Sequence, residues 1–273
     1  MSLAVCRRVG FAAAVWATVV VWAVPAAAQF RPSTPATGET YNVEAAIVFW
    51  NADPTLIISS ESLGIPGDNV DLTSDLGIEK KRLMELRFVL RPAPKHKFRI
   101  HYMPIKYDVE SIVQREFVFN GQRFRVGVPV HTTADFTTYR FGYEYDFFAR
   151  DQGYVGVLID LKYTNASVNL DSPIGAEFTE QVAPIPTIGI VGRGYLVPNV
   201  SITGEVSFFK VPENVSEDFG GRYFEYDFYG TFNFTNNVGA QFGLRKVDVE
   251  YFRDLDSGNL TFTGWYIAGV ARF

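Results

Sequence analysis

Apolar and polar side chains alternate with a period of two residues along many segments of this chain. Successive side chains of a β-strand point to opposite faces, so each such segment predicts a strand with one apolar and one polar face. The clearest segment is residues 138–148. Its apolar positions are Tyr139, Phe141, Tyr143, Tyr145 and Phe147, and its other positions are Thr138, Arg140, Gly142, Glu144 and Asp146.

About ten segments follow this pattern, and they predict an all-β fold. They are residues 41–50, 82–91, 98–105, 138–148, 155–163, 187–196, 201–209, 223–234, 238–251 and 261–273. In residues 238–251 the apolar phase slips near Lys246, after which Val247 and Val249 continue the apolar set. We interpret the slip as a β-bulge or as the point where the strand leaves a membrane.

The connections between these segments alternate between short and long. Short, turn-rich links cover residues 92–97, 150–153, 197–199 and 235–237, and longer links cover residues 51–81, 107–135, 170–184, 212–222 and 253–259. Bacterial outer-membrane barrels have short periplasmic turns and long outer loops. The pattern therefore predicts an antiparallel up-and-down transmembrane β-barrel with an even number of strands.

The strand number depends on residues 116–128. Asn120-Gly121 is a strong hairpin signal, and we place this hairpin above the second long loop, which leaves ten strands in the wall. If both of its strands belong to the wall, the count is twelve. If two of the ten segments lie outside the membrane, it is eight.

The first residues have the features of an export signal. Arg7 and Arg8 precede an apolar run, and residues 26–28 offer an A-x-A cleavage site. The run is too short to span a bilayer comfortably as an anchoring helix. We therefore divide the chain into a signal peptide (residues 1–28), a flexible periplasmic lead-in (29–39) and an outer-membrane barrel (40–273).

Alternation alone does not say which face meets lipid, since a soluble lipocalin-like barrel would bury its apolar face. Three features favour a membrane barrel: bulky aromatics crowd the apolar face, aromatics lie near strand ends as interfacial girdles, and opposite charges balance on the polar face. Buried charges need partners, so the balance predicts a narrow, charge-filled lumen. The girdle candidates are Tyr41, Trp50, Tyr102, Phe147, Tyr163, Phe234 and Phe273. The predicted lumen network consists of Glu85, Arg87, Arg99, Arg140, Glu144, Asp146, Asp160, Lys162, Glu205, Glu225, Asp227 and Arg245.

From residue 41 to Phe273 the chain resembles the small outer-membrane β-barrels of the OmpA, OmpX and OmpW kind. The resemblance rests on the strand alternation and on Phe273, which is similar to the C-terminal aromatic residue read by the barrel-assembly machinery. It implies residence in the outer membrane of a Gram-negative bacterium. It also implies contact with membrane lipids and with the assembly machinery through the last strand. We expect a monomer.

Charge and chemistry narrow the function further. Without Arg7 and Arg8, 23 of the 25 basic residues remain against 30 acidic residues, a net charge of −7 that argues against nucleic acid as a partner. Cys6, the single cysteine, leaves with the signal, so the mature chain has no thiol chemistry. Asp68, Asp71 and Asp75 lack an EF-hand pattern, and we predict a solvated acidic loop with no metal and no cofactor.

The three mature histidines give little support for catalysis. We expect His96 in a solvated turn and His101 as a hydrogen-bonded filler of the lumen. His131, with Asp135 as its orienting carboxylate, is the one place where a hydrolase site at the outer loops is conceivable. The sequence thus favours a non-enzymatic barrel with a structural or surface-interaction role and a closed lumen. The alternatives are a narrow, porin-like passive pore and, after it, the hydrolase.

We expect signal cleavage after Ala28 and recovery of the mature chain from the outer membrane, because the apolar run ends directly before the alanine triplet. N-terminal sequencing of the membrane fraction measures this. A mature chain that starts inside the apolar run, or that is recovered from the soluble periplasm, contradicts it.

Overall fold

The computed structural model describes residues 36–61, 65, 67–173, 175–211, 219–253 and 256–273. The predicted signal peptide and most of the predicted lead-in lie outside these residues. The described part contains no helix of the length and hydrophobicity needed to cross a membrane.

Fourteen strands make up the described secondary structure. They are β1 (Val43–Ser60), β2 (Val70–Asp71), β3 (Lys81–Ala93), β4 (His96–Met103), β5 (Lys106–Ile112), β6 (Phe117–Phe119), β7 (Gln122–Phe124), β8 (Pro129–Arg150), β9 (Gly153–Ser172), β10 (Gly175–Val197), β11 (Val200–Lys210), β12 (Phe219–Asn233), β13 (Val238–Arg253) and β14 (Asp256–Arg272).

The wall is a closed antiparallel barrel of ten strands, as the sequence predicted. Sequential strands pair from β8 to β14, β3 lies between β1 and β4, and β14 pairs with β1 to close the wall. Strands β4 and β5 both pair with β8, so together they fill one wall position. The short strand β2 pairs with β1.

The hairpin β6–β7 forms a separate two-stranded sheet, so its strands are not part of the wall. Its turn residues Asn120 and Gly121 have φ values of 48° and 81°. Positive φ at both turn positions is what a type I′ hairpin requires, and Asn-Gly is the pair that tolerates it. The prediction of an additional hairpin is therefore confirmed, and twelve wall strands are excluded.

Several wall strands run well beyond the predicted segments. Strand β9 continues to Ser172 and β10 begins at Gly175, so the predicted long link over residues 170–184 is mostly strand. The 20 residues of β9 span roughly 65 Å at about 3.3 Å per residue. The apolar band of an outer-membrane barrel is only about 25 Å tall. Even after tilting, the wall therefore rises beyond the membrane at the end that carries the long connections, which we call the outer end.

The apolar face points outward, which confirms the membrane orientation of the strands. Phe141, Ile159 and Phe228 are 51%, 61% and 55% exposed, whereas Arg140 and Asp160 are 5% and 2% exposed. An exposed belt of such side chains around a closed wall is compatible with lipid and unfavourable in water. The other outward residues of this belt include Ile47, Phe49, Met84, Leu86, Phe88, Leu90, Phe98, Ile100, Leu161, Ile188, Ile190, Phe208, Phe242, Leu244 and Ile267.

The prediction that Trp50 and Tyr41 belong to the aromatic girdles is wrong. Trp50 shares the inward phase of Val48 on β1 and is buried, and Tyr41 precedes β1 and turns inward beneath Arg91 and Arg272. An aromatic residue near a strand end predicts a girdle only if its phase points outward. Five candidates do lie on the outer surface: Tyr102, Phe147, Tyr163, Phe234 and Phe273.

The predicted bulge in β13 is also wrong. The pairings of β13 with β12 and β14 run without a register shift, and Val247 continues the inward phase of Arg245. What changes near Lys246 is the interior of the barrel, which turns from ionic to apolar, so the residues on the inner face change type while the strand stays regular. The other interpretation, a strand leaving the membrane, agrees with the height of the wall.

The outer half of the interior is filled by an apolar core. Phe117, Phe119 and Phe124 of the β6–β7 hairpin are fully buried there, together with Leu72 and Leu76 of the connection after β2. Backbone hydrogen bonds from Asp68 to Val118 and from Asn120 to Ser60 join the hairpin to the first long connection. Among the described residues, both connections therefore turn apolar side chains back into the barrel. The wall residues of this core include Leu56, Ile58, Leu83, Met103, Val130, Ala134, Phe136, Val168, Leu170, Val247, Leu260 and Phe262.

Candidate functional site: an ionic network across the barrel lumen

The strand registers bring the inward charges of separate strands to the same part of the lumen. His101 on β4 lies opposite Arg140 on β8, which in turn lies opposite Lys162 on β9. On the far wall, Glu205 of β11 lies opposite Asp227 of β12. Period-two alternation keeps every one of these side chains on the inner face.

On one side of the lumen, two basic residues of β4 bridge three acids. The Lys97 ammonium lies 2.5 Å from Glu144 and 2.9 Å from Asp146. Arg99 contacts Glu144 at 3.0 Å and reaches Glu205 on the opposite wall at 2.8 Å. Arg99 and Glu205 thus connect the two walls directly across the interior.

The middle of the network surrounds Arg140. Its guanidinium lies 2.8 Å from Asp160 and at the longer distances of 3.9 and 4.0 Å from Glu205 and Glu225. Lys162 donates to Glu225 at 2.7 Å. Between Arg140, Glu205 and Glu225 the remaining void is too narrow to admit a water-sized sphere.

The third part joins β12 and β13 to β3. Arg245 bridges Glu225 at 2.5 Å and Glu85 at 2.6 Å. Arg87 then links Glu85 at 3.0 Å to Asp227 at 3.1 Å. The contacts form one connected chain from Asp146 to Asp227, and it contains all twelve residues that the sequence singled out.

Sequence reasoning missed several members of this network. The sequence pattern places Lys97 in a short link, although it shares the inward phase of Arg99 two positions later, and that phase is the signal that identifies it. The hydroxyls of Tyr266 and Tyr223 donate at 2.8 Å to Asp227 and Glu225. These tyrosines resemble lipid-facing aromatics in the sequence, and only the strand phase distinguishes them.

The N-terminal residues before β1 form a strap across the inner end of the lumen. Glu39 binds Arg193 at 2.8 Å, accepts a hydrogen bond from the Tyr195 hydroxyl at 2.5 Å, and lies 3.4 Å from Arg91. The Thr37 amide donates to the Pro198 carbonyl at 2.8 Å. Residues 36–39, which belong to the predicted lead-in, are therefore held in the mouth of the barrel. A cavity of about 590 Å³ lies beside the strap, between Glu39, Arg91, Asp146, Tyr154, Tyr195 and neighbouring turn residues.

The electrostatics of Glu39 follow from these contacts. Burial raises the pKa of its carboxyl group, but the charge of Arg193 and the hydrogen bond from Tyr195 outweigh burial, and the pKa falls to about 2. The strap is thus held by a carboxylate that stays ionised at neutral pH.

The candidate hydrolytic pair does not form. Asp135 binds Lys106 at 2.7 Å and the Thr137 hydroxyl at 2.6 Å, while His131 lies 3.5 Å from Asp108. His101 is buried 3.4 Å from Glu85 within the network, and the His96 ring contacts the Tyr143 hydroxyl at 2.6 Å.

The acidic loop residues have structural partners. Asp75 pairs with Arg115 at 2.7 Å, Asp71 accepts from Thr73, and Asp68 accepts from the Val118 amide. Among the described residues, no group of three or more His, Cys, Asp or Glu side chains is arranged to hold a metal ion.

Comparison with known proteins identifies the fold. No family model and no curated protein sequence matches this chain. The outer-membrane protease OmpT from Escherichia coli superimposes over 88% of this chain and 99% of its own, with a TM-score of 0.55 and 8% sequence identity. The translocator domain of the autotransporter NalP from Neisseria meningitidis (96% and 97% covered, TM-score 0.39, 7% identity) and the outer membrane protein AlkL (89% and 96%, 0.37, 10%) are more distant. The chain thus has the fold of bacterial outer-membrane β-barrels, and at this identity the likeness extends to the fold alone.

Replacing Arg140 by alanine should destabilise the barrel by about 3–5 kcal/mol, because Asp160 would be left buried without its guanidinium partner. Arg123, in an exposed ion pair with Glu116, is the control, and its replacement by alanine should cost about 1 kcal/mol or less. Urea unfolding in detergent gives both values. Equal stability of the two variants would show that Arg140 and Asp160 face water instead of each other.

Replacing Glu39 by glutamine should cost roughly 3 kcal/mol at pH 7, since the fall in its pKa from 4.5 corresponds to about 1.4 kcal/mol per unit. The folded-state pKa is depressed, so this contribution is present above pH 4.5 and is lost as the pH falls through about 2. The difference in unfolding free energy between the native chain and Glu39→Gln should therefore shrink steadily between these pH values. A difference that does not change with pH would show that Glu39 acts through packing alone.

Proposed function

We propose that this chain is a sealed outer-membrane barrel that acts at its outer surface, in a structural or surface-interaction role and without enzymatic activity. The observation that carries the proposal is the connected ionic network. Its members reach across the lumen from β4 to β11 and from β13 to β3, and they pair with each other instead of lining an aqueous path.

Two further layers support a closed lumen. Above the network, the buried rings of Phe117, Phe119 and Phe124 fill the outer half of the interior. Below it, the strap ties Glu39 to Arg193 in the inner mouth. A solute crossing the barrel would have to displace all three layers, so we place the function at the outer end, where the wall rises beyond the membrane.

The outer end is built for presentation more than for transport. The hairpin and the first long connection are anchored to each other and to the apolar core, which restricts the conformations of the surface they expose. Rigid surfaces lose less conformational entropy on binding than mobile loops do. A partner of this barrel would therefore meet a preformed surface.

Conductance in planar bilayers tests the closed lumen. We expect no steady current from the native chain. We expect brief openings from Arg99→Ala, which removes the Arg99–Glu205 contact across the lumen, and none from the exposed control Arg123→Ala. A steady, ion-selective current from the native chain would reject the sealed barrel and favour the narrow passive pore. Peptide or ester hydrolysis that is lost in His131→Ala would favour the hydrolase.

We also propose that Phe273 is recognised during assembly. Phe273 is 73% exposed, while its backbone hydrogen bonds to Asn42 and Val43 close the wall. Deleting Phe273 should lower the amount of folded barrel in the outer membrane several-fold and leave refolding in detergent nearly unchanged. An equal loss in both assays would show that Phe273 acts through closure of the wall and not through recognition.

A further inference from the structure

The carboxylate of Glu39 lies in the inner mouth of the barrel in the way that a ligand lies in its binding site. One of its oxygens accepts hydrogen bonds from Arg193 at 2.8 Å and from the Tyr195 hydroxyl at 2.5 Å. Its other oxygen lies 3.4 Å from Arg91. Two guanidinium groups and a phenol thus converge on one planar carboxylate, and arginine is the side chain best suited to bind a carboxylate.

Residues of the wall hold Arg193 in place independently of the strap. Arg193 lies opposite Tyr154 on β9 and opposite Thr203 on β11. The central carbon of its guanidinium is 5.4 Å from the centre of the Tyr154 ring, and its Nε atom donates to the Thr203 hydroxyl at 2.9 Å. The site is therefore built into the wall, and only the carboxylate comes from the strap.

The positive charges of this site depend on the strap for their neutralisation. Among the described residues, Glu39 is the only carboxylate that forms an ion pair with Arg91 or Arg193. If the strap leaves the mouth, both guanidinium groups lose their counterion while they have little contact with water. Charges without partners are costly in such surroundings, so the open site would favour another anion.

The cavity beside the strap offers room for a ligand that carries such an anion. Its volume of about 590 Å³ lies within the range of small-molecule sites, roughly 300–1,000 Å³. Glu39, Arg91 and Tyr195 line it together with the aromatic residues Tyr41 and Tyr154. Aromatic walls beside convergent donors suit a small molecule with an apolar body and one carboxylate.

Glu39 is also the only charged residue of the strap. The other attachments of the strap are hydrogen bonds between neutral groups. The Thr37 carbonyl accepts from the Asn233 side chain at 2.6 Å, and the Gly38 amide donates to the Asn236 side chain at 3.2 Å. Displacement of Glu39 would therefore remove the ionic attachment of the strap.

We propose that the inner mouth is a binding site for a small-molecule carboxylate, which competes with Glu39 for Arg193 and Tyr195 and releases the strap when it binds. Glu39 acts as a tethered competitor that fills the site when no ligand is present. Its tether gives it a high effective concentration, so weakly binding anions are excluded. The proposal is independent of the role proposed for the outer surface.

Titration calorimetry with benzoate on the full mature chain in detergent tests the site, and benzamide is the neutral probe of similar shape. Glu39→Ala removes the competitor. It should bind benzoate at least about tenfold more tightly than the native chain, because a site that is open for less than about one-tenth of the time loses affinity by that factor. Adding Arg193→Gln should abolish this gain. The matched control Glu44→Ala removes a carboxylate that pairs with Arg272 at 2.6 Å, outside the site, and should bind benzoate as the native chain does.

The reaction rate of an introduced thiol follows the strap itself. Ala36 is 3% exposed, and the chain has no cysteine after Cys6. The thiol of Ala36→Cys should therefore react slowly with a maleimide in an otherwise native mature chain. Benzoate should raise this rate several-fold, and benzamide should leave it unchanged. If Glu39→Ala does not fold, as judged by gel mobility, this measurement decides alone.

Several results would overturn the proposal. Glu39→Ala could show no preference for benzoate over benzamide, or Glu44→Ala could gain as much affinity as Glu39→Ala. Benzoate could also leave the labelling rate of Ala36→Cys unchanged, which would show that the strap is not released. Inorganic phosphate that releases the strap as effectively as benzoate would reject a carboxylate site in favour of a general anion site.

Discussion

Charges inside the lumen must neutralise one another, and the rest of this structure depends on that constraint. Because the outer face is apolar, the polar residues of each strand must point into the lumen. The lumen is narrow, so these residues have little contact with water. A buried charge without a partner costs several kcal/mol, so each strand must meet its neighbours in the one register that pairs Arg140 with Asp160 and Arg245 with Glu225. Slipping one strand by a single residue would turn its charges toward lipid.

The two halves of the barrel interior are filled by different kinds of side chains. The inner half lies within the membrane and is filled by ion pairs, and the outer half rises above it and is filled by a hydrophobic core. The hairpin β6–β7 could not stay folded alone, since an isolated two-stranded hairpin is marginal in water. Burial of Phe117, Phe119 and Phe124 inside the wall supplies the stabilisation it lacks.

Opposite charges are also paired within the protein outside the central network. The lumen pairs its charges within the protein, and so does Arg222 on one side of the outer wall. Glu39 extends the same principle to the strap, where a carboxylate from before the first strand meets Arg193.

Alternation of residue types determined a large part of the architecture before any tertiary contact was known. It predicted ten strands, their order as an antiparallel meander, the outward face, and the inward set from Glu85 to Arg245. Period two is a local property of the backbone, so the sequence expresses it directly. Only the tertiary structure decided which charges meet, because Arg99 and Glu205 are 106 positions apart and face each other across a closed wall. It also decided that Trp50 points inward, that β13 has no bulge, and that residues 36–39 enter the lumen. Each of these features depends on which residues of distant strands fill the interior at the same level of the barrel. The local sequence pattern does not contain that information.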